Sequence, residues 1–138
     1  MTKKMFRSLR LDFDFPDWEL VKTIFKKREF VLSSLDLTVQ DALVSKTSKG
    51  FHLYLTLSRE VSKETVIFLQ LALGSDYKRE VFNWRRFVML NVPLTYNVLF
   101  YEKYVREDSG LKLVSQEVNL DKETEELKAI INEWKTKD

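Results

Sequence analysis

The chain contains two kinds of segment, distinguished by the spacing of their apolar residues. In some, apolar and polar residues alternate, which predicts half-buried β-strands because residues i and i+2 share a face. In others, apolar residues recur every three or four positions, which predicts amphipathic helices. By these criteria, strands are predicted over residues 8–15, 30–46, 51–58, 98–105 and 111–118. The second of these ranges fits either one long strand or two strands with an irregularity near Asp41.

The predicted helices have clear ends. Pro16 and Asp17 suit the first turn of one helix, since proline is pre-set for that position and an acid favours the positive end of the dipole. Ser62 is a good N-cap for a second, nearly apolar helix, and Gly74 is a natural stop. Asp121 is predicted to cap a last helix with a regular apolar stripe.

The segment after Gly74 is open to two interpretations. Ser75 or Asp76 could cap a helix running to Arg86, although residues 81–88 also fit a strand. As a helix, the segment would separate a polar face from an apolar one. The polar face would carry Asp76, Arg79, Asn83 and Arg86, and the apolar face Tyr77, Val81, Trp84 and Val88.

The order of elements, β-α-β-β-α followed by further elements, predicts an α+β fold with an antiparallel or mixed sheet backed by helices. We expect an RNA-recognition-motif (ferredoxin-like) core with a C-terminal extension. The chain is predicted to form a single domain: a core over 8–88, additional strands over 89–120 and a C-terminal helix over 121–138. In this architecture the first and third strands lie side by side in the centre of the sheet.

Composition narrows the possible functions. The chain has 138 residues, 44% of them hydrophobic and 32% charged, and it has no cysteine. Disulfides, zinc–thiolate sites and thiol nucleophiles are therefore excluded. No apolar run is long enough for a transmembrane helix, and the basic amino end lacks the apolar core of a signal peptide. We expect no membrane partner and a cytoplasmic location. The cysteine-free, charge-rich composition also fits a thermophile, and a net charge of +2 permits a nucleic-acid partner without requiring one.

Two aspartates form the first candidate site. Asp12 and Asp14 stand two apart in a predicted strand, so their carboxylates would project from one face and could share Mg²⁺ or Mn²⁺ with substrate phosphates. Asp36, on the polar side of its own predicted strand, could add a third carboxylate. The alternative is that these acids only solvate an exposed strand face, which is the commoner role of such a pattern.

The only histidine, His52, forms the second candidate site. It would share a strand face with Tyr54 and so be displayed rather than buried. Just before it, the polar turn that contains Lys46, Ser48, Lys49 and Gly50 could cradle a phosphate. The alternative is an ordinary solvated loop. If the first and third strands are neighbours, the aspartates and His52 come together on the open face of the sheet, beside Arg10.

Taken together, these stretches resemble the archaeo-eukaryotic primase superfamily, and in particular the small primase-like proteins of archaeal viruses, plasmids and phages. Leu11-Asp12-Phe13-Asp14 matches that superfamily's first motif, an apolar residue followed by Asp-x-Asp. Ser48-Lys49-Gly50-Phe51-His52 matches the second, in which serine, glycine and histidine head a strand. Residues 79–86 resemble the third motif, which is an acid on an apolar strand, but Asn83 stands in place of that acid. The resemblance spans roughly residues 8–88.

The resemblance implies a nucleic-acid or nucleotide-binding protein of DNA replication, with metal-dependent nucleotidyl transfer as its chemistry. Asp12 and Asp14 would bind Mg²⁺ or Mn²⁺, and with His52 they would form the catalytic group. Nucleotide or nucleic-acid contacts would come from Lys46, Ser48, Lys49, Tyr54, Arg79, Asn83 and Arg86. For a viral protein, the location would be the host cytoplasm.

Several alternatives remain open from the sequence. A neutral amide at Asn83 holds a metal less firmly than a carboxylate and cannot act as a base. Nucleic-acid binding without catalysis is therefore one alternative, and a metal-dependent nuclease or a structural protein of a mobile element are others. The aromatic residues of the last third could serve a homodimer, although core burial is their commoner role. These residues are Tyr96, Phe100, Tyr101 and Tyr104.

Overall fold

The structure is a computed structural model and describes residues 5–91, 102–107, 110–116 and 118–136. In chain order, the elements are β1 (Phe6–Phe13), α1 (Trp18–Lys26), α2 (Glu29–Ser33), β2 (Val39–Lys46), β3 (Phe51–Val61), α3 (Lys63–Ala72), α4 (Tyr77–Asn83), a π-helix (Trp84–Met89), β4 (Glu102–Glu107), β5 (Gly110–Gln116), β6 (Val118–Asn119) and α5 (Asp121–Thr136). The predicted α+β class is confirmed.

Among the residues that the structure describes, the main sheet has four antiparallel strands in the order β1-β3-β2-β6. The first and third strands are neighbours, as the sequence predicts, but within this described part β1 lies at the edge of the sheet rather than in its centre. A second pair, β4 and β5, forms a separate two-stranded sheet. The predicted strand 98–105 is therefore partly confirmed as β4, while residues 98–101 and the predicted turn at 108–109 lie outside the described residues. The same holds for Tyr96, Phe100 and Tyr101.

Alternation along β1 and β3 separates an apolar face from a polar one. Leu9, Leu11 and Phe13 of β1 are buried, as are alternate residues from Phe51 to Leu57 in β3. Helices α1, α3 and α5 add their apolar residues to the same core, and the rings of Phe25 and Trp134 stack with centroids 4.8 Å apart. The helices thus back the apolar face, and the candidate residues of β1 and β3 lie on the other face.

The predicted signals at Asp17, Ser62 and Gly74 are confirmed, whereas Pro16 precedes the N-cap instead of lying in the first turn and Asp121 is the first residue of α5 instead of its cap. Asp17 caps α1 by accepting a hydrogen bond from the Leu20 amide, and Ser62 caps α3 by accepting one from the Thr65 amide. Gly74 adopts φ +109° after α3, and the next amide, that of Ser75, bonds back to the Gln70 carbonyl at 3.0 Å. This is the Schellman arrangement, in which glycine takes the left-handed position. It fixes Ser75 beside the end of α3.

The long strand predicted over 30–46 is wrong in its first half. Residues Glu29–Ser33 form the short helix α2, and the strand begins only at Val39. Asp36 takes φ 56°, and the amide of Leu37 bonds back to the Leu32 carbonyl, so a second Schellman turn ends this helix. Asp36 is therefore a turn residue and not a strand carboxylate. The predicted irregularity near Asp41 is confirmed as a shift in register between β2 and β3.

The segment after Gly74 is helical, so the strand alternative for 81–88 is wrong. Asp76 caps α4, and the π-helix continues it to Met89. The predicted faces are reversed, however: Tyr77, Val81 and Trp84 are exposed, while Glu80 and Asn83 are buried. Glu80 can be buried because its carboxylate is supplied with hydrogen-bond donors, as described below. No helix in the ranges that the structure describes is long and apolar enough to cross a membrane.

Candidate functional site

A row of polar side chains crosses all four strands of the main sheet. Asp12 of β1 lies opposite His52 of β3, which lies opposite Ser45 of β2, which lies opposite Asn119 of β6. The Nε2 atom of His52 is 3.3 Å from Oδ1 of Asp12. The Ser45 hydroxyl donates a hydrogen bond of 3.0 Å to Oδ1 of Asn119. The structure thus brings Asp12 and His52 together on one face.

A second row lies next to the first on the same face. Arg10 lies opposite Tyr54, which lies opposite Leu43 of β2. The rings of His52 and Tyr54 meet edge to face with centroids 6.3 Å apart. All four predicted residues of β1 and β3 on this face are half-buried, and the His52 side chain retains 12% of its exposure. Part of each of these groups therefore remains accessible to a ligand.

Asp14 lies one position beyond the end of β1 and is exposed. It is therefore not held by the strand ladder that positions Asp12. Among the described residues, no group of three or more histidine, aspartate or glutamate side chains could hold a metal ion. The donors available to Mg²⁺ or Mn²⁺ are the few oxygens of Asp12 and Asp14, so a cation here would depend on water and ligand phosphates for the rest of its shell.

The turn before His52 is tightly built. The Thr47 amide bonds to the Gly50 carbonyl, and the Gly50 amide bonds to the Thr47 hydroxyl, each at 2.9 Å. A Cβ atom on Gly50 would lie 1.9 Å from the Phe13 carbonyl oxygen, so only glycine allows this turn to pack against the end of β1. The turn before His52 and the end of the strand that carries Asp12 are therefore in direct backbone contact.

The polar residues of this turn are not all directed toward His52. Lys46 lies opposite Phe51, which precedes His52 in β3. Because neighbouring residues of a strand point to opposite faces, Lys46 projects from the apolar side of the sheet and not from the side of His52. Its Nζ atom is 4.6 Å from the centroid of the Phe51 ring. Ser48 and Lys49 are exposed at the tip of the turn. Of the predicted phosphate ligands here, Lys46 is therefore separated from the polar face.

A buried carboxylate lies beside the edge of β1. Glu80 of α4 is only 1% exposed, and its oxygens accept hydrogen bonds from Gln70 (2.8 Å), Ser75 (2.8 Å) and Asn83 (3.1 Å). Burial raises the pKa of Glu80, and these three hydrogen bonds oppose the rise. The predicted nucleotide ligand Asn83 is thus buried in this network, where its amide nitrogen is bonded to Glu80.

The same network continues to β1. The Arg10 amide donates to Oε1 of Gln70, and the Asp12 amide donates to Oγ of Ser75, each at 2.9 Å. The amide of Asp76 in turn donates to the Asp12 carbonyl at 2.7 Å. Within the described residues, the outer edge of β1 is therefore paired at Arg10 and Asp12 with side chains and a loop instead of with another strand. This pairing positions the backbone of both Arg10 and Asp12.

Arg79 is the predicted residue of α4 that the structure does place near the polar face. It interacts electrostatically with Glu80, Asp12, Tyr54 and Arg10, and burial lowers its pKa while Glu80 and Asp12 oppose that effect. Within the part of the chain that the structure describes, no acceptor lies in hydrogen-bond reach of its buried Nε atom. Arg86 lies elsewhere, with its guanidinium 5.3 Å from the centroid of the Phe87 ring.

Sequence reasoning missed Glu80 and Gln70. Both residues are recognisable in the sequence. Gln70 interrupts the apolar run from Val66 to Leu73, and Glu80 is the sole acid between residues 77 and 101. A polar residue at a buried helix position needs a partner, so each one predicts the other if the two segments pack together. Local periodicity could not show that Gln70 and Glu80 form a hydrogen bond, because they lie in different helices ten residues apart.

Comparison with known proteins gives one informative similarity. Uncharacterized protein 30 of Sulfolobus islandicus filamentous virus (isolate Iceland/Hveragerdi) is 29% identical over 116 residues, covering 77% of this chain and 42% of the viral protein. The chain therefore spans less than half the length of this curated relative. No family model and no solved structure matches the chain.

Proposed function

We propose that this chain is a primase-like protein that binds nucleic acid or nucleotides on the polar face of its main sheet. The observation that carries the proposal is the register between the two motif-bearing strands, which sets Asp12 opposite His52 and Arg10 opposite Tyr54. Two short motifs that are 40 residues apart in the sequence thus supply one surface with an aromatic ring, an imidazole, a cation and a carboxylate.

Arg79 supports an anionic ligand. Its side chain is half-buried and interacts electrostatically with Asp12, Tyr54 and Arg10, so it adds a positive charge near the polar face. Arginine is well suited to phosphate because its planar group can donate two parallel hydrogen bonds. A phosphate near Arg79 would lie on the side of the face that Arg10 and Tyr54 occupy.

We propose that this sheet and its helices form an RNA-recognition-motif core. In an RNA-recognition-motif core, the first and third strands are neighbours and helices cover one face. Here β3 lies between β1 and β2, and the element order from β1 to α3 is the expected one apart from the added helix α2. Such sheets bind single strands by stacking bases on aromatic side chains.

The test is binding of a labelled oligonucleotide at several salt concentrations. Replacing Tyr54 with alanine should weaken binding roughly tenfold or more through the loss of stacking, while Tyr54→Phe, which keeps the ring, should bind nearly as the unmodified protein does. Arg10→Ala should lower the slope of log affinity against log salt by about 0.7, the value for one phosphate on a single strand. Binding that does not change with salt or with Tyr54 would refute the proposal.

A second candidate is metal-dependent nucleotidyl transfer at the same face. It is favoured by the 3.3 Å approach of His52 to the carboxylate of Asp12, which puts two groups capable of metal or phosphate contact at one point. Incubation with primed, labelled DNA, with and without Mn²⁺ and nucleotides, separates the outcomes. Extension supports transfer, cleavage supports a nuclease, and an unchanged substrate that is nonetheless bound supports the binding module.

A further inference from the structure

Helix α4 and the π-helix present aromatic rings to solvent. Tyr77 is 63% exposed, Phe82 56% and Trp84 42%. In an ordinary amphipathic helix these rings would face the core, but here Glu80, Asn83 and Phe87 do so. The reversal is enforced by the buried network around Glu80, which holds the opposite side of the helix against α3 and β1. The hydrogen bonds of Glu80 therefore keep the three rings on the solvent side of the helix.

The exposed charges of the same segment are all basic. Lys78 and Arg85 are exposed and Arg86 is half-buried, with its guanidinium 5.8 Å from the centroid of the Phe82 ring. From residue 77 to residue 91 the sole acid is Glu80, and its carboxylate is buried and satisfied internally. The exposed rings and cations of this segment therefore have no exposed acid among them, and Val81, Met89 and Leu90 add exposed apolar side chains beside them. We call the surface of rings and cations the aromatic–basic strip, made up of Tyr77, Lys78, Phe82, Trp84, Arg85 and Arg86.

The mixture of aromatic rings and cations indicates which kind of ligand the aromatic–basic strip would bind. A second copy of the chain would meet the strip with the same strip, because a two-fold interface is self-complementary, and this would place cation against cation. An apolar protein groove would desolvate the cations with nothing to pair them. A single-stranded nucleic acid meets both requirements, since every base has a face that stacks on an aromatic ring and every phosphate carries a negative charge.

We propose that the aromatic–basic strip is a binding surface for single-stranded nucleic acid, on which bases stack against Tyr77, Phe82 and Trp84 while Lys78, Arg85 and Arg86 pair with phosphates. Helix α4 is joined to the edge of β1, where the Asp76 amide donates to the Asp12 carbonyl at 2.7 Å, and it carries Arg79, whose charge acts on Arg10 and Tyr54 of the sheet. A strand bound on the sheet would therefore continue onto the helix. The inference deepens the proposed function and rests on it for the first part of that path.

The test uses the full chain and a labelled oligothymidylate of about twenty nucleotides. The triple variant Tyr77→Ala/Phe82→Ala/Trp84→Ala should lose affinity roughly tenfold or more, because each stacked base is lost. Since these side chains are exposed, the fold should persist, which circular dichroism checks. The matched control is Phe68→Ala/Leu71→Ala, which removes exposed apolar side chains from α3 and should leave affinity unchanged.

A second variant addresses the cations. Lys78→Ala/Arg85→Ala/Arg86→Ala keeps all the rings and should lower the salt slope of binding by about 2, corresponding to three phosphate contacts on a single strand. Unchanged affinity in the ring variant, or an unchanged salt slope in this one, would overturn the inference. So would a ring variant that binds DNA normally but no longer self-associates in sedimentation, or no longer binds phosphatidylserine vesicles.

The two proposals fail separately. If Tyr54→Ala binds normally while the ring variant does not, the sheet face is wrong and the strip alone is the binding surface. If Tyr54→Ala loses affinity while the ring variant retains it, the strip is wrong and the sheet proposal stands. If the unmodified protein binds no oligonucleotide at any salt concentration, both are wrong.

Discussion

The hydroxyl of Ser75 donates a hydrogen bond of 2.8 Å to the carboxylate of Glu80 while it accepts one of 2.9 Å from the amide of Asp12. A buried acid on a helix is thus connected through one hydroxyl to β1, the strand that carries Asp12. Gln70 makes the equivalent connection from Glu80 to the amide of Arg10. The edge of β1 depends on these two bridges, because the described part of the sheet provides no strand on that side.

The first prediction concerns the contribution of Glu80 to stability. Glu80→Ala should lower the free energy of unfolding by about 3 kcal/mol, since three buried donors lose their acceptor at once and a cavity is left. Urea denaturation measures the change. The matched control is Glu60→Ala, at an exposed position in β3, where we expect a change within about 0.5 kcal/mol. Equal effects of the two variants would contradict a role for the buried network.

The pairing of Asp12 with His52 could be predicted because it needs only two local patterns and one rule of topology. Alternation sets the face of each strand, and the order of elements makes β1 and β3 neighbours. A slip of one residue is then excluded, because it would expose Leu11 and Leu53, whereas a slip of two residues would keep both faces and is excluded only by the observed pairing. Those two leucines are fully buried.

The residues that were misread depend on contacts that periodicity does not record. Asp36 fits a strand pattern, but the helix-ending turn of α2 places it in the left-handed region, which aspartate tolerates better than most residues. Tyr77 and Trp84 fit a buried stripe, but the opposite side of α4 is held by hydrogen bonds to Gln70 and Ser75. Only the packing of α4 against α3 and β1 decides which side is inside.

The second prediction concerns pH. Burial raises the pKa of Glu80 above its ordinary value of 4.5, so the folded protein keeps this proton at pH values where the unfolded chain has lost it. The contribution of Glu80 to the free energy of unfolding therefore falls as pH rises from about 4.5 to the raised pKa, and is constant above it. Glutamine does not titrate. The stability of the unmodified protein relative to Glu80→Gln should accordingly decrease with pH through this window. A relative stability that increases there would show that the shift has the opposite sign.

The third prediction concerns the turn that joins the two motifs. Gly50→Ala should lower the free energy of unfolding by about 2 kcal/mol or more, because the added methyl group would overlap the Phe13 carbonyl oxygen and the Phe15 amide. Thermal or urea unfolding measures this. Ser48→Ala, in the same turn but exposed, serves as the control and should have little effect. A stable Gly50→Ala variant would mean that the turn can move away from β1, and that His52 is not fixed by it.

The fourth prediction concerns the proposed metal ligands. If Asp12 and Asp14 bind Mn²⁺, the cation should stabilise the folded protein by an amount that grows with its concentration, about 2.7 kcal/mol at a hundred times the dissociation constant. Asp12→Asn/Asp14→Asn should abolish this gain, since neutral amides are weaker ligands for a hard cation. Asp41→Asn is the control, because Asp41 is an exposed aspartate of β2 that lies opposite Thr56 on the same face. Two outcomes would contradict metal binding by these aspartates: Mn²⁺ does not stabilise the unmodified protein, or it stabilises the double variant to the same extent. Either outcome would leave the polar face as a binding surface without a metal. In that case the close approach of Asp12 to His52, at 3.3 Å, serves to hold the imidazole in position beside Tyr54.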